Sequence, residues 1–166
     1  MQMIRVGDMK VLAAFAALTL LAACGGGNSN TGASTGMGAT AAPSSTAAPG
    51  SEADLVANVG DRIYFEFNQN GLSDDAKSTL SRQAAWLQRY PQVQVQIAGN
   101  CDDRGTAEYN LALGERRANA ARDFLVAQGV SSDRISTISY GKDRPTALGD
   151  DEQSWQQNRN AITAVR

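Results

Sequence analysis

Apolar and polar residues alternate in two short stretches of this chain. In RIYFEFN (62–68), Ile63, Phe65 and Phe67 share one face and Tyr64, Glu66 and Asn68 the other, as in a half-buried strand. QVQVQIAG (92–99) repeats the pattern with Val93, Val95 and Ile97 inward and three glutamines outward, so one sheet face is covered and the other wet. Between the two stretches the period lengthens. Ser73 caps a helix with Asp74 and Asp75 in its first turn, where acids favour the helix dipole. Ala76, Leu80, Ala84 and Leu87 then recur at helical spacing, and Tyr90-Pro91 ends the run. A second helix is predicted from Thr106 to just before Gly129, a residue suited to a left-handed helix stop. RISTISY (134–140) and NAITAV (160–165) read as third and fourth strands, with a short helix around 151–157 between them. The order β-α-β-α-β-(α)-β predicts an α+β, two-layer domain: a four-stranded mixed sheet with helices on one face. The first two strands are expected to pair or lie parallel through a right-handed crossover.

The first fifty residues carry no such pattern. VLAAFAALTLLAAC (11–24) is an apolar run too short to span a bilayer, preceded by Arg5 and Lys10, as in a secretory signal peptide. It ends in Leu21-Ala22-Ala23-Cys24, which resembles the bacterial lipobox and marks Cys24 as the expected site of lipidation. Gly25 follows, and the lipobox resemblance together with the absence of Asp at that position implies an anchor in the outer membrane. Several acyl chains on one cysteine give stable residence, at about 0.8 kcal/mol per buried CH₂. Residues 25–50 are Gly, Ser, Thr, Ala, Asn and Pro with a single Met and no charge, and cannot repay the entropy of folding. Such a coil of about thirty residues spans roughly 30 Å on average and about 100 Å when stretched. The chain therefore divides into a signal peptide (1–23), a lipidated tether (24–52) and one domain (53–166).

Charge excludes one class of partner. The whole chain carries −2, and losing residues 1–23 makes the remainder one charge more acidic, with no basic run for nucleic acid to use. With Cys24 lipidated, Cys101 is alone and reads as a small, semi-buried residue at a strand end. Charge gathers instead in GNCDDRGTAEYNLALGERRANA (99–120). With Leu113 at zero on the second helix, Arg117 falls at about 40°, Phe124 at about 20°, Ala120 at about 340° and Asn110 at about 60°. Arg117 thus shares the apolar stripe, while Arg116, at about 300°, sits on its edge. A guanidinium facing the core needs an anion or several acceptors. Asp102 and Asp103 stand just upstream. Two outcomes are open: an internal salt bridge that orders the loop, or a pocket where Asp and Arg stand apart and a ligand completes the pairing.

The same stretch, with YFEFN before it and SYGKDRPTALGDDEQSWQQNRNA after it, resembles the peptidoglycan-associated lipoprotein (Pal) family of the Tol–Pal system. That family's domain is OmpA-like, and the likeness covers residues 60–166. The resemblance implies noncovalent binding of the diaminopimelate-containing peptide stem of peptidoglycan, which would tether outer membrane to wall. The ligand's free end carries an ammonium and a carboxylate, and Arg suits a carboxylate far better than Lys. By the resemblance Asp102 takes the ammonium and Arg117 the carboxylate, with Phe67, Asn68 and Leu113 completing the pocket. Asn68 stands where many relatives have Asp, so a second acid is missing. Asp103, Arg104, Gly105, Thr106 and Asn110 are implied to support the loop. TolB is the implied protein partner, in competition with the wall.

Other classes fare worse. Asp102, Asp103 and Glu108 are conceivable metal ligands or an acid/base pair, but the chain has no histidine and no nucleophile motif, so neither enzyme activity, cofactor nor metal is expected. A lipid-anchored scaffold for TolB or other periplasmic partners, without wall binding, is the alternative. Trp86 is expected in or near the core, and nothing in the sequence decides the place of Trp155.

Overall fold

In a computed structural model describing residues 47–166, the predicted order of elements is realised, with the first two strands shorter than expected. Strand β1 covers only Arg62–Tyr64, and β2 Val95–Asn100, β3 Ile135–Gly141 and β4 Asn160–Val165 complete the sheet. The helices are α1 (Glu52–Asp54), continued by a π-helical turn at Leu55–Val59, then α2 (Asp74–Arg89), α3 (Ala107–Ala127) and α4 (Glu152–Asn158). The expected lipidation site Cys24, the expected signal peptide and most of the expected tether lie outside the described residues.

Side-chain oxygens start the helices, at Ser73 and Thr106 where the sequence predicts and at Asp151 besides. Ser73 Oγ accepts from the Ala76 amide and Thr106 Oγ1 from Tyr109, each at 3.2 Å, while Asp151 Oδ1 accepts from Ser154 at 2.7 Å. The helical turns at 52–59 were not foreseen. Their anchor is Asp54, whose carboxylate accepts from the Gly50 amide (2.8 Å), the Asn58 side chain (2.8 Å) and the Trp86 indole (2.9 Å). These donors, the Gly50 amide foremost, hold the Asp54 carboxyl below the usual carboxylate range.

The sheet order is β1-β4-β2-β3, with β4 antiparallel to both neighbours and β2 parallel to β3. The sheet is mixed and the fold α+β, as expected. The first two strands do run parallel, but they do not pair, because β4 lies between them. Ile63 faces Ala161, which in turn faces Gly99, so the last strand stitches the first to the second. Ile63, Phe65, Leu80, Leu87, Val95, Ile97, Ala121 and Leu125 form the core between sheet and helices. Gln96, Ala98, Tyr140, Ile162 and Ala164 are only half-buried on the opposite face.

The stripe of α3 is rotated from the predicted one. Arg117, Ala118, Ala121 and Leu125 are buried, whereas Phe124 is half-buried and Arg116 exposed. Gly99 and Gly114 set this rotation: a Cβ on Gly99 would stand 1.8 Å from the Gly114 carbonyl oxygen. Helix and strand backbones touch there, which leaves room for nothing larger and brings the start of α3 against the end of β2.

Candidate functional site

Where β2 ends, three loops converge: residues 101–106 leading into α3, residues 65–69 following β1, and the α4–β4 junction. Between them lies a cavity of about 180 Å³. Phe67, Asn68, Asp102, Leu113 and Arg117 all line it, with Arg104, Gly105 and Asn110. These residues come from three separate segments. Phe67 departs from its predicted place: the strand ends at Tyr64, the Gln69 amide closes a turn on Glu66 O, and Phe67 is 55 % exposed at the cavity. Asn68 occupies the left-handed region (φ 56°), which Asn tolerates better than most residues, and accepts from the Tyr109 hydroxyl.

Arg117 is fully buried, 0 % exposed. Its Nε donates to Gln69 O (2.9 Å), Nη1 to Asn100 O (2.8 Å) and Nη2 to Glu66 O (3.2 Å). Of the two outcomes the sequence left open, neither Asp closes a bridge to it among the described residues. Three carbonyls hold the cation instead. They leave two of its five N–H groups uncommitted, one on each Nη. Burial pushes its guanidinium down from the ordinary value, though an arginine stays charged. Three neutral acceptors satisfy donors without cancelling charge, so the site retains an appetite for an anion.

Asp102, only 4 % exposed, is met by two other arginines. Arg104 Nη2 stands 2.5 Å and Nε 3.2 Å from its Oδ2, and Arg159 Nη1 stands 3.2 Å from the same oxygen. The Asp102 Oδ1 accepts no hydrogen bond among the described residues. Arg159 uses four of its five N–H groups, donating also to Phe65 O (3.2 Å), Glu152 Oε1 (2.6 Å) and Gln156 Oε1. The sequence reading missed Arg159. The signal was present: Arg159, one residue before β4, is in phase with Ala161 and Thr163 on that strand's buried face. Arg104 lies between two aromatic faces, 4.1 Å from the Phe67 centroid and 4.2 Å from that of Trp155.

The remaining loop residues divide. The Asn110 amide donates to the carbonyls of Arg104 (2.7 Å) and Thr106 (3.1 Å), tying loop to helix. Gly105 turns the chain with φ 89°. Asp103 points away from the cavity; its carbonyl accepts from Lys142 at 3.2 Å. Thr106 serves as the cap and does not line the cavity. Cys101 is buried at the strand end, donates its thiol to Asn110 O (3.3 Å), and burial pushes that thiol up. A larger groove of about 520 Å³ runs beside β1 and the start of α2. None of its ionisable side chains is buried, so it lacks the preorganised charges that distinguish the smaller cavity.

Known proteins share this architecture and sequence. Residues 64–159 match the OmpA family. A peptidoglycan-associated lipoprotein of Mesorhizobium japonicum is 54 % identical over 115 residues, covering 69 % of this chain and 68 % of that one. One from Pasteurella multocida is 36 % identical over 155 residues, 93 % of this chain and 96 % of the relative. The crystal structure of the peptidoglycan-associated lipoprotein from Burkholderia pseudomallei superposes with a TM-score of 0.62 at 42 % identity, covering 64 % of this chain and 90 % of that one. The C-terminal domain of Helicobacter pylori MotB (TM-score 0.60, 24 % identity, 64 % of this chain and 84 % of that one) shares the fold. With the matched stretch running from the last residue of β1 through α4, this chain belongs to the OmpA family, among the peptidoglycan-associated lipoproteins.

Proposed function

We propose that the cavity grips the free end of diaminopimelate in the peptide stem of peptidoglycan, with Asp102 at the ammonium and Arg117 at the carboxylate. Phe67 and Leu113 supply apolar walls for the intervening methylenes, and Asn68 adds a neutral acceptor. One observation carries the reading. An acid and a guanidinium from different elements line the same small cavity without pairing with each other, and each keeps hydrogen-bonding capacity in reserve. A zwitterion of matching length completes both, with charge-assisted bonds about twice as strong as neutral ones.

In this reading residues 1–23 are removed, lipid on Cys24 holds the protein in the outer membrane, and residues 24–52 bridge to the wall-binding domain at 53–166. Reversible attachment of membrane to wall follows, as does a place in the Tol–Pal system, in envelope integrity and in membrane constriction at division. TolB is the proposed protein partner, competing with the wall. Calorimetry on the full chain in detergent micelles tests the central step. A stem peptide ending in diaminopimelate should bind saturably, and the lysine stem, lacking the second carboxylate, should not. Heat from neither peptide would instead favour a scaffold that meets only proteins, and equal heats from both would mean that the site does not read the second carboxylate.

A further inference from the structure

In the free protein the pocket's acid is not waiting for a cation. It already has one. Asp102 is buried, and a buried carboxylate left unpaired costs several kcal/mol, so something must hold it until a ligand arrives. Two arginines do so, and they differ in kind. Arg159 is 2 % exposed and held by four acceptors at the α4–β4 junction. Arg104 has a side chain 33 % exposed, sits on the loop, and donates hydrogen bonds to Asp102 alone. The rest of its hold is the pair of ring faces, Phe67 and Trp155.

We infer that Arg104 is a resident cation, occupying the ammonium position between Phe67, Trp155 and Asp102 in the free protein and exchanged for the ligand's own ammonium on binding. The inference rests on the zwitterion reading above and adds to it how the site admits its ligand. Two ring faces and a carboxylate form a cage that accepts an ammonium as readily as a guanidinium. A landing place for the displaced group is built in. Glu152 Oε2 already stands 3.7 Å from Arg104 Nη1, and Glu152 is largely exposed. Leaving Asp102 for Glu152 takes a short swing past Trp155, whose indole N–H is buried without a partner among the described residues. The side chain thus has two anions to choose between, and the ligand biases the choice.

Exchange also sharpens selection. A carboxylate alone has nothing with which to displace Arg104 from Asp102. An ammonium alone leaves Arg104, Arg117 and Arg159 around the cavity without a new anion. Only a ligand bringing both charges repays the swap. The exchange scales the affinity down to its intrinsic value multiplied by the fraction of molecules in which the site is already vacated.

Fluorine NMR of the full chain, labelled with fluorotryptophan and held in detergent, resolves Trp155 from Trp86, the only other tryptophan. Titration with the diaminopimelate stem peptide is expected to move the Trp155 resonance and leave that of Trp86 in place. Arg104→Gln should move Trp155 the same way without ligand and tighten binding about three- to tenfold, since vacating the site no longer has to be driven. Arg104→Lys, which keeps the charge but not the planar stack, should fall between. Binding with an unmoved Trp155 overturns the exchange, as does weaker binding by a folded Arg104→Gln chain. The native-chain shift needs no variant and decides the matter if Arg104→Gln does not fold. Binding by Arg104→Gln alone supports the exchange. Binding by neither chain brings down the zwitterion reading and the exchange together.

Discussion

Two corners of this domain are built from the same parts, a buried aspartate beside a tryptophan, and they are finished differently. At the N-terminal corner both oxygens of Asp54 are occupied, by the Gly50 amide, the Asn58 side chain and the Trp86 indole. Every partner is a neutral donor, one in the turn before α1 and the others on helical turns. At the cavity one oxygen of Asp102 takes all the bonds, both donors are cations, one of them sits on a loop, and the Trp155 indole has no acceptor among the described residues. The first corner is closed and serves the fold. The second keeps one acceptor free, Asp102 Oδ1, and fills its ring cage with the loop cation Arg104. Satisfaction, rather than burial or residue type, separates them.

The comparison breaks most visibly at Arg117, which belongs to both categories. It lines the cavity, yet three carbonyls depend on it. Arg117→Ala orphans those acceptors and opens a void, so an unfolding midpoint in denaturant should register a loss on the order of 3–5 kcal/mol. Wall binding should vanish with it, which makes this variant a poor test of the ligand. Asp102→Asn is the cleaner cut. Arg159 keeps Glu152, Gln156 and the Phe65 carbonyl, so the fold should be little changed. Affinity for the diaminopimelate stem should fall about tenfold or more, the worth of one charge-assisted contact, as read by calorimetry. A folded Asp102→Asn chain with native affinity would show that the ammonium binds elsewhere.

How far these corners could be read from sequence follows from what fixes each of them. The helix cap at Ser73, the helix starts at Thr106 and near Asp151, the alternation of β2, the strand at 160–165 and the inward Arg117 rest on local period and local chemistry, and they stand where predicted. Phe67 was misplaced because alternation says where a strand can continue and not where the chain leaves the sheet. The insertion of β4 between β1 and β2 depends on long-range pairing, which no local pattern encodes. Arg159 was in phase with Ala161 and Thr163, but its partner Asp102 lies 57 residues away, so its role became visible only with both in place. The clasp at Asp54 was hidden for the same reason: its tryptophan is 32 residues downstream.

A smaller effect separates the corners by pH. The neutral donors around Asp54 favour its charged form, so its carboxyl titrates lower in the folded chain than in the unfolded one. The sign follows from linkage: stability from this group is complete above the ordinary carboxylate range and is lost as pH falls through the depressed value. Asp54→Asn should lower the melting temperature at neutral pH and flatten its acid decline, while affinity for the stem peptide stays native. A variant that melted lower and also bound more weakly would mean that the two corners are coupled through α2 and the sheet.

The finest distinction lies between the tryptophans themselves. Replacing an indole by phenyl removes an N–H at the cost of some packing. At Trp86 that N–H is a bond to a buried carboxylate, so Trp86→Phe leaves Asp54 short of a donor and should cost about 1–3 kcal/mol. At Trp155 the N–H has no acceptor among the described residues, so Trp155→Phe removes an unmet demand instead of creating one. The packing lost and the penalty relieved should nearly cancel, leaving stability within about 0.5 kcal/mol of native. Phenyl is also a weaker cation platform than indole, so Arg104 should sit less firmly and ligand affinity should shift while stability does not. Parallel melts of the two variants read the first difference and calorimetry reads the second. Equal losses of stability would mean that the Trp155 indole is satisfied in solution, and the contrast between a closed and an open corner would then rest on Asp102 alone.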